Sequence, residues 1–247
     1  MMSQGGTMSD GRGLPYRAIR EAAYEANMAI YRSGLIVLTW GNASAADHGS
    51  GVFAIKPSGV SYDELSPHMM VVVGIGTGEV VDGELRPSSD TATHQRIFAS
   101  FRSVGGIVHT HSTFATCYAQ AATPIPCLGT THADHFAGPV PVTRHPSAEE
   151  IAAGYEAATG DIIVEHFRAN ELDPMHVPAV LLPHHGPFAW GDSAAAAVEN
   201  AIALEAVARM ALYTRTISDG GPPIPRRLQQ KHFTRKHGSA AYYGQPG

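Results

Sequence analysis

The stretch Gly105-Gly106-Ile107-Val108-His109-Thr110-His111-Ser112 organises the reading of this chain. Two glycines followed by Ile107 and Val108 read as the start of a short strand. Successive side chains on a strand point to opposite faces, so His109 and His111 project side by side while Thr110 faces the other way. Two imidazoles on a rigid strand are ready ligands for a divalent metal. A His-x-His pair can equally be one exposed and one core-satisfied histidine, so a third ligand elsewhere decides between the readings.

That third ligand is sought where another strand ends. Val177–Leu182 reads as a strand that runs into His184-His185-Gly186-Pro187. His185 stands at the mouth of a Gly-Pro turn, a place where a scaffold edge delivers a ligand; its competing role is to hydrogen-bond the turn. His184 points the opposite way and reads as structural. Three histidines with open positions suit zinc or a similar divalent ion, and manganese or cobalt accepts the same ligands. Asp90 is a candidate fourth ligand or a base beside the metal, with the N-cap of a helix over Thr91–Phe101 as its plain alternative. Ser88 and Ser89 stand at the same helix start, where hydroxyls and free N–H groups make a phosphate cradle. Asn42, Lys56, Ser58 and Gly59 belong to two further small-polar loops after strands. Asp134, in Gly129-Thr130-Thr131-His132-Ala133-Asp134, and Tyr243 near the chain end are a carboxylate and a phenol able to exchange protons with a substrate from opposite sides. Spacing alone leaves both as surface residues.

The rest of the chain supplies the scaffold. Helical spacing runs from Leu14 to Ser33 with Gly34 as its stop. Leu35–Trp40, Gly51–Lys56 and Met69–Ile75 read as strands separated by turn residues. Thr113–Ala122, 147–158, 160–170 and the alanine-rich Asp192–Ile217 read as helices, and the last 25 or so residues are basic and aromatic. No repeat or linker divides the chain, so 14–247 reads as one α/β domain. Residues 1–13 lack an apolar core and read as a disordered lead, not a signal peptide.

Composition narrows the class. Of 247 residues 44% are hydrophobic and 16% charged, with a net charge of −5. Nucleic acid is not the expected partner, because phosphate-backbone binding needs a basic face. An anionic substrate must be held by local groups. No apolar run reaches transmembrane length. Cys117 and Cys127 do not form a Cys-x-x-Cys pair and read as reduced thiols of a cytoplasmic protein.

Taken together, Thr39-Trp40-Gly41-Asn42, Ile55–Val60, Pro87-Ser88-Ser89-Asp90-Thr91, Gly105–Ser112, Gly129–Asp134, His185–Gly191 and Lys236-His237-Gly238 with Tyr242–Gln245 closely resemble the class II aldolase/adducin family from about residue 15 to 245. The resemblance implies a single-domain α/β/α fold, a central mainly antiparallel sheet flanked by helices, assembled as a homotetramer with sites between subunits. It implies zinc ligands at Asp90, His109, His111 and His185. Substrate and phosphate contacts follow at Gly41, Asn42, Lys56, Ser58, Gly59, Ser88 and Ser89, with Thr130, His232 and Arg235 lining the site. Asp134 and Tyr243 match the two proton-transfer residues, the tyrosine coming from an adjacent subunit. The implied activity is interconversion of L-ribulose 5-phosphate and D-xylulose 5-phosphate by breaking and remaking the C3–C4 bond. Aldehyde-releasing aldolases of the family carry glutamate where this chain has Asp90 and differ around Asp134. The non-catalytic adducin heads are expected to lack the metal histidines.

Overall fold

A computed structural model describes residues 14–218, 222–237 and 241–242. The expected lead at 1–13 and the proton-transfer candidate Tyr243 lie outside these residues. In chain order the elements are α1 (Arg17–Arg32), β1 (Asn42–Asp47), β2 (Val52–Ile55), β3 (Val71–Gly74), β4 (Val80–Asp82), α2 (Thr91–Ser100), β5 (Gly106–His109), α3 (Thr113–Gln120), α4 (Thr130–Ala133), α5 (Ala148–Ala169), β6 (Ala179–Leu181), β7 (Pro187–Gly191), α6 (Ala194–Ile217) and α7 (Arg226–Lys236). The seven strands form one antiparallel sheet in the order β4-β3-β2-β1-β5-β7-β6.

Strand alternation sorts the apolar residues into two cores. Ala43, Ala45, Val72, Val108, Ala179, Leu181 and Ala189 turn to one face and meet residues of α1, α3 and α6. Phe53, Val71, Val73, Ile107, Val180, Phe188 and Trp190 turn to the other and meet Ile97, Phe98, Ile163 and Phe167 of α2 and α5. Burial on both faces explains why strands such as Val71-Val72-Val73 and Ile107-Val108 read as unbroken apolar runs. The result is the α/β/α arrangement that the resemblance implied.

Helix α6 lies close over β5 because its contact residues are small. A Cβ on Gly106 would fall 2.3 Å from the Cα of Ala194, so only glycine lets the strand start beneath the helix. Ser193 caps α6 by accepting from the Ala196 N–H, and Ser147 with Glu150 forms a capping box at α5.

Two expectations are corrected. Leu35–Trp40 is not a strand; the strand is β1, which starts at Asn42. Leu38 (φ 55°) and Gly41 (φ 98°) turn the backbone to the left-handed region. Val37, Leu38 and Trp40 stay exposed, whereas Ala43, Ser44 and Ala45 of β1 are buried. Asn27 of α1 fixes β1 by pairing with both the N–H and the carbonyl of Ala43, at 2.9 and 2.8 Å. Second, the two helices expected at 147–158 and 160–170 are present as the two arms of α5, but the kink between them falls at Gly154 and not at residue 159. The elements β4, β7, α4 and α7 carry no strong local periodicity and were not anticipated.

Candidate metal centre and its cavity

Register brings the three histidines together. His109 ends β5, buried, opposite Phe188 of β7. His111 follows just beyond the strand, and its Nε2 lies 3.1 Å from that of His109. His185 sits in the turn between β6 and β7, closed by the Leu182 N–H donating to Gly186 O at 3.0 Å, three residues before Phe188. One nitrogen from each of His109, His111 and His185 lies within 4.8 Å of the others. Two nitrogens bound to a tetrahedral zinc at about 2.0–2.1 Å stand about 3.3 Å apart, so the donor set matches such an ion in type, and the His109–His111 pair matches it in spacing. His184, at φ 60°, stacks on His145 and takes no part.

The tautomers suit the purpose. His109 Nδ1 donates to Pro187 O at 2.9 Å, which leaves Nε2 with its lone pair. Burial pushes the His185 imidazolium down to about 4, helped by the neighbouring His109 and His111. Burial lowers His111 likewise. Burial thus favours in both rings the neutral form that can bind a metal.

Asp90 occupies the N-cap position of α2 but does not cap it. Its Oδ2 instead accepts from Asn42 Nδ2 at 2.7 Å. Burial works upward on its carboxyl, yet His109, His94 and the Asn42 hydrogen bond outweigh it, and the net shift is downward. Asp90 lines the cavity beside the histidines but is outside the 4.8 Å trio.

The same cavity, about 470 Å³, is lined by Gly41, Asn42, Lys56, Ser58, Gly59, Ser88 and Ser89, all expected substrate contacts. Lys56 is buried; its Nζ donates to Val60 O at 2.6 Å and lies 4.9 Å over the Tyr62 ring. Burial brings its pKa down to about 8. The N–H groups of Ser58 and Ser88 are already spent on Arg86 O and Lys56 O, at 2.9 and 3.0 Å. The hydroxyls and the N–H groups of Gly59 and Ser89 are what these loops retain for an anion. Trp40, Tyr155 and Glu156 also line the cavity and were not singled out from sequence; Trp40 lay inside a quoted motif, while Tyr155 and Glu156 gave no signal.

A second cluster lies apart. Asp134, at the end of α4, accepts from Arg235 Nε (2.9 Å) and Nη2 (2.5 Å) and from His232 Nδ1 (3.1 Å), both on α7. Burial raises its carboxyl, but Arg235 and His232 prevail and hold it down. Asp134 lines a different cavity, with His135, Asn200 and Lys236. Thr130 starts α4, one turn before it. Thr130, Asp134, His232 and Arg235 are all absent from the described lining of the metal cavity.

The sequence profile of the class II aldolase and adducin N-terminal domain family matches residues 21–212. The chain belongs to this family. Among class II aldolase relatives, L-ribulose-5-phosphate 4-epimerase UlaF of Salmonella paratyphi A is 51% identical over 227 residues, 92% of this chain and 98% of its own length. The protein of that name from Salmonella paratyphi B is 50% identical over the same shares. Among solved structures, an L-fuculose 1-phosphate aldolase superposes with a TM-score of 0.73 at 23% identity, covering 88% of this chain and 95% of its own. YgbL of Klebsiella pneumoniae gives 0.68 at 23% identity, over 87% and 97%. At that identity the structural likeness speaks for the fold alone.

Proposed function

We propose that this protein is a metal-dependent L-ribulose-5-phosphate 4-epimerase that interconverts L-ribulose 5-phosphate and D-xylulose 5-phosphate. The observation that carries the proposal is the shared cavity: three convergent imidazoles face the same space as Asn42, Lys56 and the Ser58 and Ser88-Ser89 loops. A ketose that must present oxygens to a cation and a phosphate to small polar loops fits that division. Half-identity over nearly the full length of both chains to relatives bearing the epimerase name supports the choice of substrate.

The chemistry follows from the substrate. The C4 hydrogen is not adjacent to the C2 carbonyl, so direct deprotonation there is unfavourable. Breaking C3–C4 removes the difficulty, leaving glycolaldehyde phosphate and an electron-rich dihydroxyacetone fragment. The bound metal supplies Lewis-acid stabilisation of the oxygen charge that develops, worth several kcal/mol. His109, His111 and His185, with Asp90, are our ligand set, and zinc our choice of ion from that donor chemistry. Lys56 and the Ser58, Gly59, Ser88 and Ser89 donors hold the phosphate while the aldehyde turns its other face. Asp134 and Tyr243 exchange the C4 hydroxyl proton, one on each face.

Asp134, Thr130, His232 and Arg235 line no part of this chain's metal cavity. We therefore read them as serving the site of a neighbouring copy, in a homotetramer located in the cytoplasm. Both cysteines are free thiols, in keeping with that compartment. Among the described residues no helix is long and apolar enough to cross a membrane.

The test is purified protein with L-ribulose 5-phosphate and a divalent metal. D-xylulose 5-phosphate should accumulate without free glycolaldehyde phosphate. Release of the aldehyde as the main product would make the protein an aldolase and overturn the reading.

A further inference from the structure

His185 differs from the other two histidines in how it is held. It sits in a turn, and the residue before it, His184, is in the left-handed region at φ 60°. The turn fixes the backbone but leaves the imidazole to rotate about its own bonds. What meets the ring is Tyr155 of α5, whose Oη lies 2.9 Å from His185 Nδ1, with ring centroids 5.9 Å apart. The rings of His109 and His111 lie 4.8 and 5.1 Å from that of His185.

We propose that Tyr155 is a positioning residue for the metal centre, holding His185 in the tautomer and orientation that present Nε2 to the ion. The inference rests on the metal-site reading above. An imidazole that binds a cation through one nitrogen carries its proton on the other, and an acceptor for that proton fixes both tautomer and ring angle. Tyr155 Oη is that acceptor. His109 shows the same device, with Pro187 O accepting from its Nδ1 at 2.9 Å. The difference is that the acceptor for His109 is backbone, while the acceptor for His185 is a side chain that can be removed.

The surroundings of Tyr155 are built for this. A phenol at its ordinary acidity is an un-ionised hydroxyl near neutral pH, able to accept one hydrogen bond and donate another. Thr159, buried and one turn further along α5, lies beside the phenol. The helix departs from regular geometry at Gly154, φ 151°, immediately before the tyrosine. A Cβ there would meet nothing within 4 Å, so space does not call for a glycine; the backbone angle does. The break in α5 thus decides where Tyr155 emerges, and it emerges at His185.

The experiment uses the full-length protein, stripped of metal and titrated with zinc against a chromogenic chelator, with cobalt as a visible-spectrum reporter. Tyr155→Phe keeps the ring and removes only the hydroxyl. The expected result is metal affinity about 10–100-fold weaker, an altered cobalt absorption band, and an unchanged melting temperature of the metal-free protein. The second comparison is made in a His185→Ala background, at the metal concentrations that the remaining ligands support. There Tyr155→Phe should have no further effect, because the tyrosine acts through the histidine. Wild-type affinity in Tyr155→Phe overturns the proposal. So does an equal loss with and without His185, or a loss that tracks a fall in metal-free stability. Those results leave the epimerase reading standing if the wild-type protein binds metal and epimerises; a wild-type protein that binds no divalent metal overturns both.

Discussion

Phe188 lies face to face with His109, ring centroids 4.2 Å apart and planes 20° from parallel, because the β5–β7 register sets the two residues directly opposite. The deepest metal-ligand candidate is therefore packed against the core whether or not an ion is bound. Phe188 is fully buried. Phe188→Ala should cost about 3–5 kcal/mol of stability in the metal-free protein, as large-to-small core changes do. Denaturant unfolding measures it, and a loss under about 1 kcal/mol would show that the stack is not part of the core.

His111→Ala, or His109→Ala, should lose bound metal and turnover together, whereas His184→Ala should lose neither. Metal content per chain, measured beside activity, separates the cases. Full activity in a metal-free His111 variant would remove the ion from the mechanism.

Lys56 gives the reaction a basic limb. Its pKa is brought down to about 8 in the folded protein from 10.5, so its charge is lost as pH rises through about 8. The pH profile of kcat/KM reports groups of the free enzyme, so it should fall above about pH 8 in the wild type. The sign for stability is opposite. Below about pH 8 the buried charge is a burden at full strength, and between about 8 and 10.5 the unfolded chain binds the proton the folded chain has released. Lys56→Met should accordingly be more stable than wild type near pH 7, with the advantage gone by about pH 10.5. The same variant should show a raised KM for the sugar phosphate at neutral pH.

Asp134→Asn and Tyr243→Phe should each retain metal and lose epimerisation. If the Asp134 cluster serves a neighbouring copy, then mixing Asp134→Asn subunits with His109→Ala subunits restores some complete sites. Recovered activity in the hybrid, absent from either parent, is the expected result; none at all would confine the site to one chain.

Gly41 holds the turn before β1 at φ 98°, and a Cβ there would lie 2.7 Å from His109 O. Gly41→Ala should cost about 1–3 kcal/mol and disturb the neighbouring Asn42. A thermal melt together with KM detects both effects, and a variant matching wild type in both would contradict the placement of this loop.

The site was legible where chemistry and local period coincide. His109 and His111 share a face because a strand alternates, and His185 reads as a ligand because it follows a strand at a Gly-Pro turn. The small-polar loops at 41–42, 56–59 and 88–89 also announce themselves as turns. What the sequence could not announce was register. β1, with Asn-Ala-Ser-Ala-Ala-Asp, has too little apolar signal to outrank Leu35–Trp40, and only the helices on its faces bury it. Gly154 looked like an ordinary helix residue until the backbone angle was known.

By itself the sequence determined the His109–His111 pair, the candidacy of His185 and the family, because each is carried by periodicity or by motifs within a few residues. Tertiary structure alone decided that Tyr155 meets His185 thirty residues away and that Asp134 is tied to Arg235 across 101 positions. It also decided that the Asp134 cluster and the histidine triad line different cavities. Contacts of that span depend on how helices dock against the sheet, and no local pattern of side chains encodes docking.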